Sequence, residues 1–248
     1  MAPPTTDPLA PLVALPGVAA AVSRARDAVA DLHRHPVNRR GWPATAAEAA
    51  VRAARASAAL DGAALERLDD VVAEPVLAGA VRIAEEAGRL LAVWRTSPLQ
   101  ALARLHVLAA ADLVPESRLG RPRGGEAVSA RLALLARLAT GGTSAPAPVL
   151  AAVVHGELLA LAPFGSADGV VARAAGRLTA VASGLDPKGL AVPEVGHLRR
   201  VREYRATATA FAGGTADGLA EWLRHCCAQW EAGAREGRSI ADARGPDT

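Results

Sequence analysis

Aromatic residues are scarce in this chain, with Phe, Trp and Tyr making up 3% of 248 residues. That argues against a strand-rich sandwich, whose packing draws on aromatic and β-branched side chains. Lysine is nearly missing too: Lys188 is the only one among 28 basic residues. The arginines are scattered among carboxylates, so the formal charge of +3 gives no concentrated basic face, and no nucleic-acid partner is expected. The two cysteines, Cys226 and Cys227, are adjacent. Neighbouring helical positions point in different directions, which disfavours an ordinary disulfide, and His225-Cys226-Cys227 lacks metal-ligand spacing. No apolar run approaches the roughly 20 residues that span a bilayer. The first ten residues also lack the charged and apolar regions of a secretory signal. A cytoplasmic protein with no membrane partner and no bound metal is the expectation.

What the chain does have is alanine, leucine and valine, the bulk of a 51% hydrophobic content suited to helix-on-helix packing. An all-α fold is predicted, with a tail over 1–15, a single helical domain over 16–240 and a flexible tail over 241–248. Helices are expected over Val18–His33, from Thr45 (as a cap, with Glu48 completing a capping box) to Leu60, and in a short piece from Leu65 to Val72. Further helices follow over Pro75–Trp94, from Pro98 towards Pro115, over Val128–Leu138, and over Val149–Leu161, which is apolar nearly all round and so reads as central and buried. Asp168–Ser183, Pro193–Phe211 and Thr215–Glu236 complete the set. The stretch Arg118–Gly125, rich in Gly and Arg, reads as a loop.

The candidate site is the break between the central helix and its successor, Ala162-Pro163-Phe164-Gly165-Ser166-Ala167-Asp168-Gly169-Val170-Val171-Ala172-Arg173. This segment resembles the core motif of Fic domains, an adenylyl-transferase family, which reads His-Pro-Phe-x-(Asp/Glu)-Gly-Asn-Gly-Arg-x-(Gly/Ala)-Arg. Pro163, Phe164, Gly169, Ala172 and Arg173 match it. The flanks His155–Leu161 and Arg177–Pro187 look like the family's leading and following helices. Ser57-Ala58-Ala59-Leu60-Asp61-Gly62 is similar to the Ser-x-x-x-Glu-Gly inhibitory motif, with Asp61 for Glu, and the segment from Tyr204 to Trp222 is similar to the tail that closes the fold.

The resemblance implies a Fic-like helical domain and also marks what has been lost. The motif histidine, the family's general base, is Ala162; losing a positioned base removes roughly two to four orders of magnitude in rate. The acidic Mg2+ ligand is Ser166, a poor donor for a hard cation. Gly-Asn-Gly has become Ala167-Asp168-Gly169, setting a carboxylate against any phosphate at the helix N-terminus. The first motif arginine is Val170. His155 lies two turns upstream of Ala162, roughly 10 Å away and out of reach as a substitute base. The family's peptide-holding flap, here Val114 to Glu126, has little strand-forming content, so it is expected to be reduced or absent.

One pairing is retained. In regulated family members the inhibitory acid bridges the second motif arginine, so Asp61 and Arg173 are expected to face each other. The reading that follows is a catalytically inactive Fic-like protein acting as a binding or regulatory module, with an unidentified protein partner and no cofactor. Two alternatives stay open. One is a residual nucleotidyl or phosphoryl transferase, which would need ATP and Mg2+; the other is a small-molecule binder using room opened at Ala162.

Overall fold

The computed structural model describes residues 7–64 and 74–245. Eleven α-helices and no strand occur among the described residues. In chain order they are α1 (Ala10–Val13), α2 (Val18–Arg34), α3 (Trp42–Leu60), α4 (Pro75–Trp94), α5 (Pro98–Ala110) and α6 (Glu126–Ala139), followed by α7 (Ala147–Leu161), α8 (Asp168–Ala182), α9 (Pro193–Arg199), α10 (Val201–Ala212) and α11 (Ala216–Asp242). No helix among the described residues is long and apolar enough to cross a membrane.

The core forms around α7. Val149 to Gly156 and Leu158 are all buried, as expected of a helix with no polar face. α8 lies along one side, while α10 and α11 cover another and α6 a third. α11 is amphipathic over its 27 residues and backs α2, α9 and α10 as well as α7. α3, α4 and α5 form a layer against α8. Trp94 and Trp222 are wholly buried, and every aromatic residue except the exposed Trp42 serves packing.

Several boundaries differ from the sequence reading. Thr45 is not a cap: α3 begins three residues earlier, at Trp42 with Pro43 in its first turn, where a missing N–H does no harm. Thr45 is fully buried, and Glu48 turns instead to Arg52, 2.7 Å away. The helix expected over Pro193–Phe211 is two helices, because Arg200 leaves helical geometry at φ −120° and ψ 39°. The last helix runs beyond Glu236 to Asp242, with Ala241 buried, so it enters the region expected to be a tail. The N-terminal tail is shorter than expected as well. Leu9 is buried, and Asp7 holds Leu9 N, Thr143 Oγ1 and Ser144 N at 2.6–2.9 Å. The helix expected over Leu65–Val72 lies outside the described residues.

Neighbouring side chains crowd α7 at Gly156. Trp222 Nε1 donates to the Ala152 carbonyl at 2.8 Å, and a Cβ on Gly156 would lie 2.7 Å from that nitrogen and 2.8 Å from Phe211 Cε1. Gly156→Ala is therefore expected to destabilise the fold by about 1–3 kcal/mol, as overpacked cores do. The normal helix preference for alanine points the other way, so a rise in the urea midpoint would contradict this packing account.

Candidate functional site

The segment between α7 and α8 holds its shape with two alanines in left-handed geometry. Ala162 ends α7 at φ 42° and ψ 61°, with its N–H on the Leu158 carbonyl. Ala167 precedes α8 at φ 51° and ψ 16°. This conformation costs a residue with a Cβ roughly 1–2 kcal/mol, so neighbouring contacts must impose it. Phe164 supplies one: it is buried and stacked on His106, ring centroids 4.2 Å apart and planes within 4°. Arg123 supplies others, with its backbone N–H on the Pro163 carbonyl at 2.6 Å and its guanidinium on the Leu161 carbonyl at 2.9 Å. The stretch that corresponds to the flap, Val114 to Glu126, contains a short 3-10 turn over Glu116–Arg118 and the first residue of α6, and no strand.

Around the α8 N-terminus two amides, those of Phe164 and Val170, are held by carboxylates of the chain. Asp168 Oδ1 accepts from Phe164 N–H at 2.9 Å. Burial raises the Asp168 carboxyl above the usual range, against the pull of the Phe164 and Gly165 amides and Arg123. Its carboxylate thus turns back onto its own loop. Asp61 Oδ2 accepts from Val170 N–H at 3.0 Å. Gly169 makes that approach possible, since a Cβ there would overlap the Asp61 carboxylate.

The same Asp61 carboxylate reaches Arg173, with Oδ1 2.8 Å from Nη2 and the Arg173 side chain 2% exposed. Ser57 adds two bonds, Nε to Oγ at 2.8 Å and Nη2 to its carbonyl at 2.9 Å. Burial works against the guanidinium charge, and the neighbouring Tyr204 and Asp61 outweigh it. Tyr204 Oη accepts from Arg173 Nη1 at 3.2 Å and lies 2.9 Å from His155 Nε2. Burial pushes the phenol up to about 12, so the hydroxyl keeps its proton and joins Arg173 and His155 in one hydrogen-bonded chain.

Ser57, Asp61, Gly169 and Arg173 therefore meet at one end of α8. Gly62 does not join them; it terminates α3 at φ 96° with open space around it. Ser166 is elsewhere, 3.0 Å from His106 Nε2. A serine within reach of a histidine suggests a nucleophile and its base, but the proton is on the wrong nitrogen. Gly120 N–H donates to Nδ1 at 2.9 Å, so the neutral ring carries its hydrogen on Nε2 and gives it to Ser166 Oγ. A catalytic pair needs the opposite tautomer.

His106, His155 and Tyr204 escaped the sequence reading as site residues because helical spacing marks a buried face without saying what the face touches. His155 belongs to a second buried cluster with His197, Tyr204, Trp222 and His225. His225 Nδ1 lies 2.9 Å from Glu203 Oε1, and its Nε2 lies 3.1 Å from His197 Nδ1. No group of metal-ligating residues is assembled among the described residues.

A buried helix, a Pro-Phe-Gly loop and a second helix whose N-terminus holds a carboxylate define an all-helical architecture, and solved structures share it. A Fic family protein from Desulfovibrio desulfuricans G20 superposes with a TM-score of 0.67 at 20% identity, covering 90% of this chain and 74% of that one. Fic-1 (residues 134–508) from C. elegans gives 0.67 at 16% identity, covering 92% and 73%. The chain has the Fic fold. No family model matches the sequence, and no curated protein does.

Two measurements follow from this geometry. Asp61→Ala removes one partner of a buried pair and is expected to cost about 3 kcal/mol, the low end for such losses, because a quarter of the Asp61 side chain is exposed; a change within error in urea unfolding would leave the contact energetically idle. The second concerns pH. Burial first, then nearby Arg173 and neighbouring histidines, hold His155 and His197 well below 6.5. Unfolding restores the ordinary value, so below it the unfolded chain binds protons that the native state excludes. Stability should be complete above 6.5 and fall as pH drops beneath it. Urea midpoints that do not decline between about pH 7.5 and about pH 5 would contradict the neutral buried cluster.

Proposed function

We propose that this chain is a Fic-fold pseudoenzyme that acts by binding, as a regulatory or partner-binding module. The observation that carries the reading is the Asp61 carboxylate, which sits on both the Val170 N–H and the Arg173 guanidinium. A phosphate approaching the α8 N-terminus would have to displace that carboxylate and would then meet Asp168 as well. Behind this block the remaining chemistry is missing. Ala162 cannot take a proton from an attacking hydroxyl, and His106 offers Ser166 a hydrogen when a base would accept one. Ser166 is a poor substitute for a carboxylate on Mg2+.

The transferase alternative differs in what happens when the block is removed. Protein with and without Asp61→Ala is incubated with ATP labelled at the α-phosphate, Mg2+ and cell lysate. No covalent label is expected on the chain or on any lysate protein in either case. Label appearing with Asp61→Ala and lost again on adding Arg173→Ala would sink the proposal, because Asp61 would then restrain a working transferase.

A further inference from the structure

We propose a ligand site beside the motif: the cleft between α3, α4 and α8, whose lining includes Val170 and Arg173 at one end and Lys188 at its rim, binds a small amphipathic carboxylate, with its apolar body between the helices and its head at Lys188. The cleft has a volume of about 470 Å3, within the range that holds small-molecule ligands. It exists because small side chains face each other across it. Ala50 and Ala54 on α3 look towards Ala84 and Gly88 on α4, with Leu178 of α8 as the floor. A Cβ on Gly88 would have nothing within 4 Å.

Charge selects the occupant. Among the cations lining the cleft, Arg173 is matched by Asp61 and Arg177 by Glu194, which lies 3.3 Å away. Arg177 also spends its donors on the carbonyls of Ala191 and Gly189. Lys188 is different. Its ammonium gives one hydrogen bond, to the Asn38 carbonyl at 2.9 Å, and forms no ion pair among the described residues. Three donors with one used leave two for a carboxylate. Trp42 borders the cleft with 37% of its surface exposed and its ring 5.9 Å from the Lys188 ammonium, so an apolar wall lies beside the charge. A cationic ligand would meet an uncompensated like charge, and a neutral one would leave the donors idle.

Lys188 is the only lysine in the chain, so an amine-acylating reagent can modify one side chain besides the N-terminus, and peptide mass spectrometry separates the two. The probes are decanoate, kept below its micelle-forming range, and decanol as the uncharged control. Decanoate is expected to raise the melting temperature saturably and to protect Lys188 from acylation, with decanol binding more weakly. Lys188→Gln should weaken decanoate by roughly tenfold, the loss of a charge-assisted hydrogen bond. Gly88→Phe should abolish binding, and Ala50→Phe, read by the same assay, covers the case in which either replacement disturbs folding. No saturable effect of decanoate would overturn the proposal, as would equal binding of decanoate and decanol, or retention of binding in both filled variants. A sedimenting dimer whose Lys188 is protected without ligand would also overturn it, because a second copy would then be the occupant.

Discussion

The buried contact between Asp61 and Arg173 ties together segments that otherwise share few contacts. Arg173 stands on the second turn of α8, 2% exposed, and a charge there persists only if it is paired and hydrogen-bonded. Ser57 and Asp61 from the end of α3 and Tyr204 from α10 meet four of its five N–H donors. α3, α8 and α10 are thereby fixed relative to one another at one point. The remaining Asp61 oxygen continues the tie to the Val170 amide. Removing the arginine would release the α3 end and the phenol that orients His155.

The loop between α7 and α8 has contacts that turn inward, onto carboxylates of the same chain. Amides at the N-terminus of α8 point to where an anion would lie. Here the anions are the chain's own: Asp168 reaches Phe164 N–H and Asp61 reaches Val170 N–H. The arrangement favours order in the loop over access to it. His106 extends the same pattern, taking the Gly120 N–H on one nitrogen and giving a hydrogen to Ser166 with the other.

Much of this was readable from the residues. The all-round apolar run over Val149–Leu161 marks the central helix, and the motif fragments set Asp61 opposite Arg173, where the structure has them. Local boundaries were less legible, because they answer to tertiary contacts. Thr45 has the chemistry of a cap but is buried inside a helix that starts at Trp42. Arg200 interrupts a stretch whose propensity is helical throughout. The partners of Tyr204 and His155 were invisible for a related reason: spacing along one helix says which side chains share a face, and nothing about which arginine on another helix they will meet.

The left-handed alanines at 162 and 167 carry a further meaning. Side chains can be exchanged one at a time, each substitution being felt mainly at its own position. A backbone conformation that its own residues disfavour is held collectively, here by Arg123 on Pro163, His106 against Phe164, and Asp61 on Val170. To change the path of the loop, all of these contacts would have to be remade together. Such a segment is slow to alter in outline and quick to alter in content, because its path is fixed by several contacts at once while each side chain answers mainly for itself.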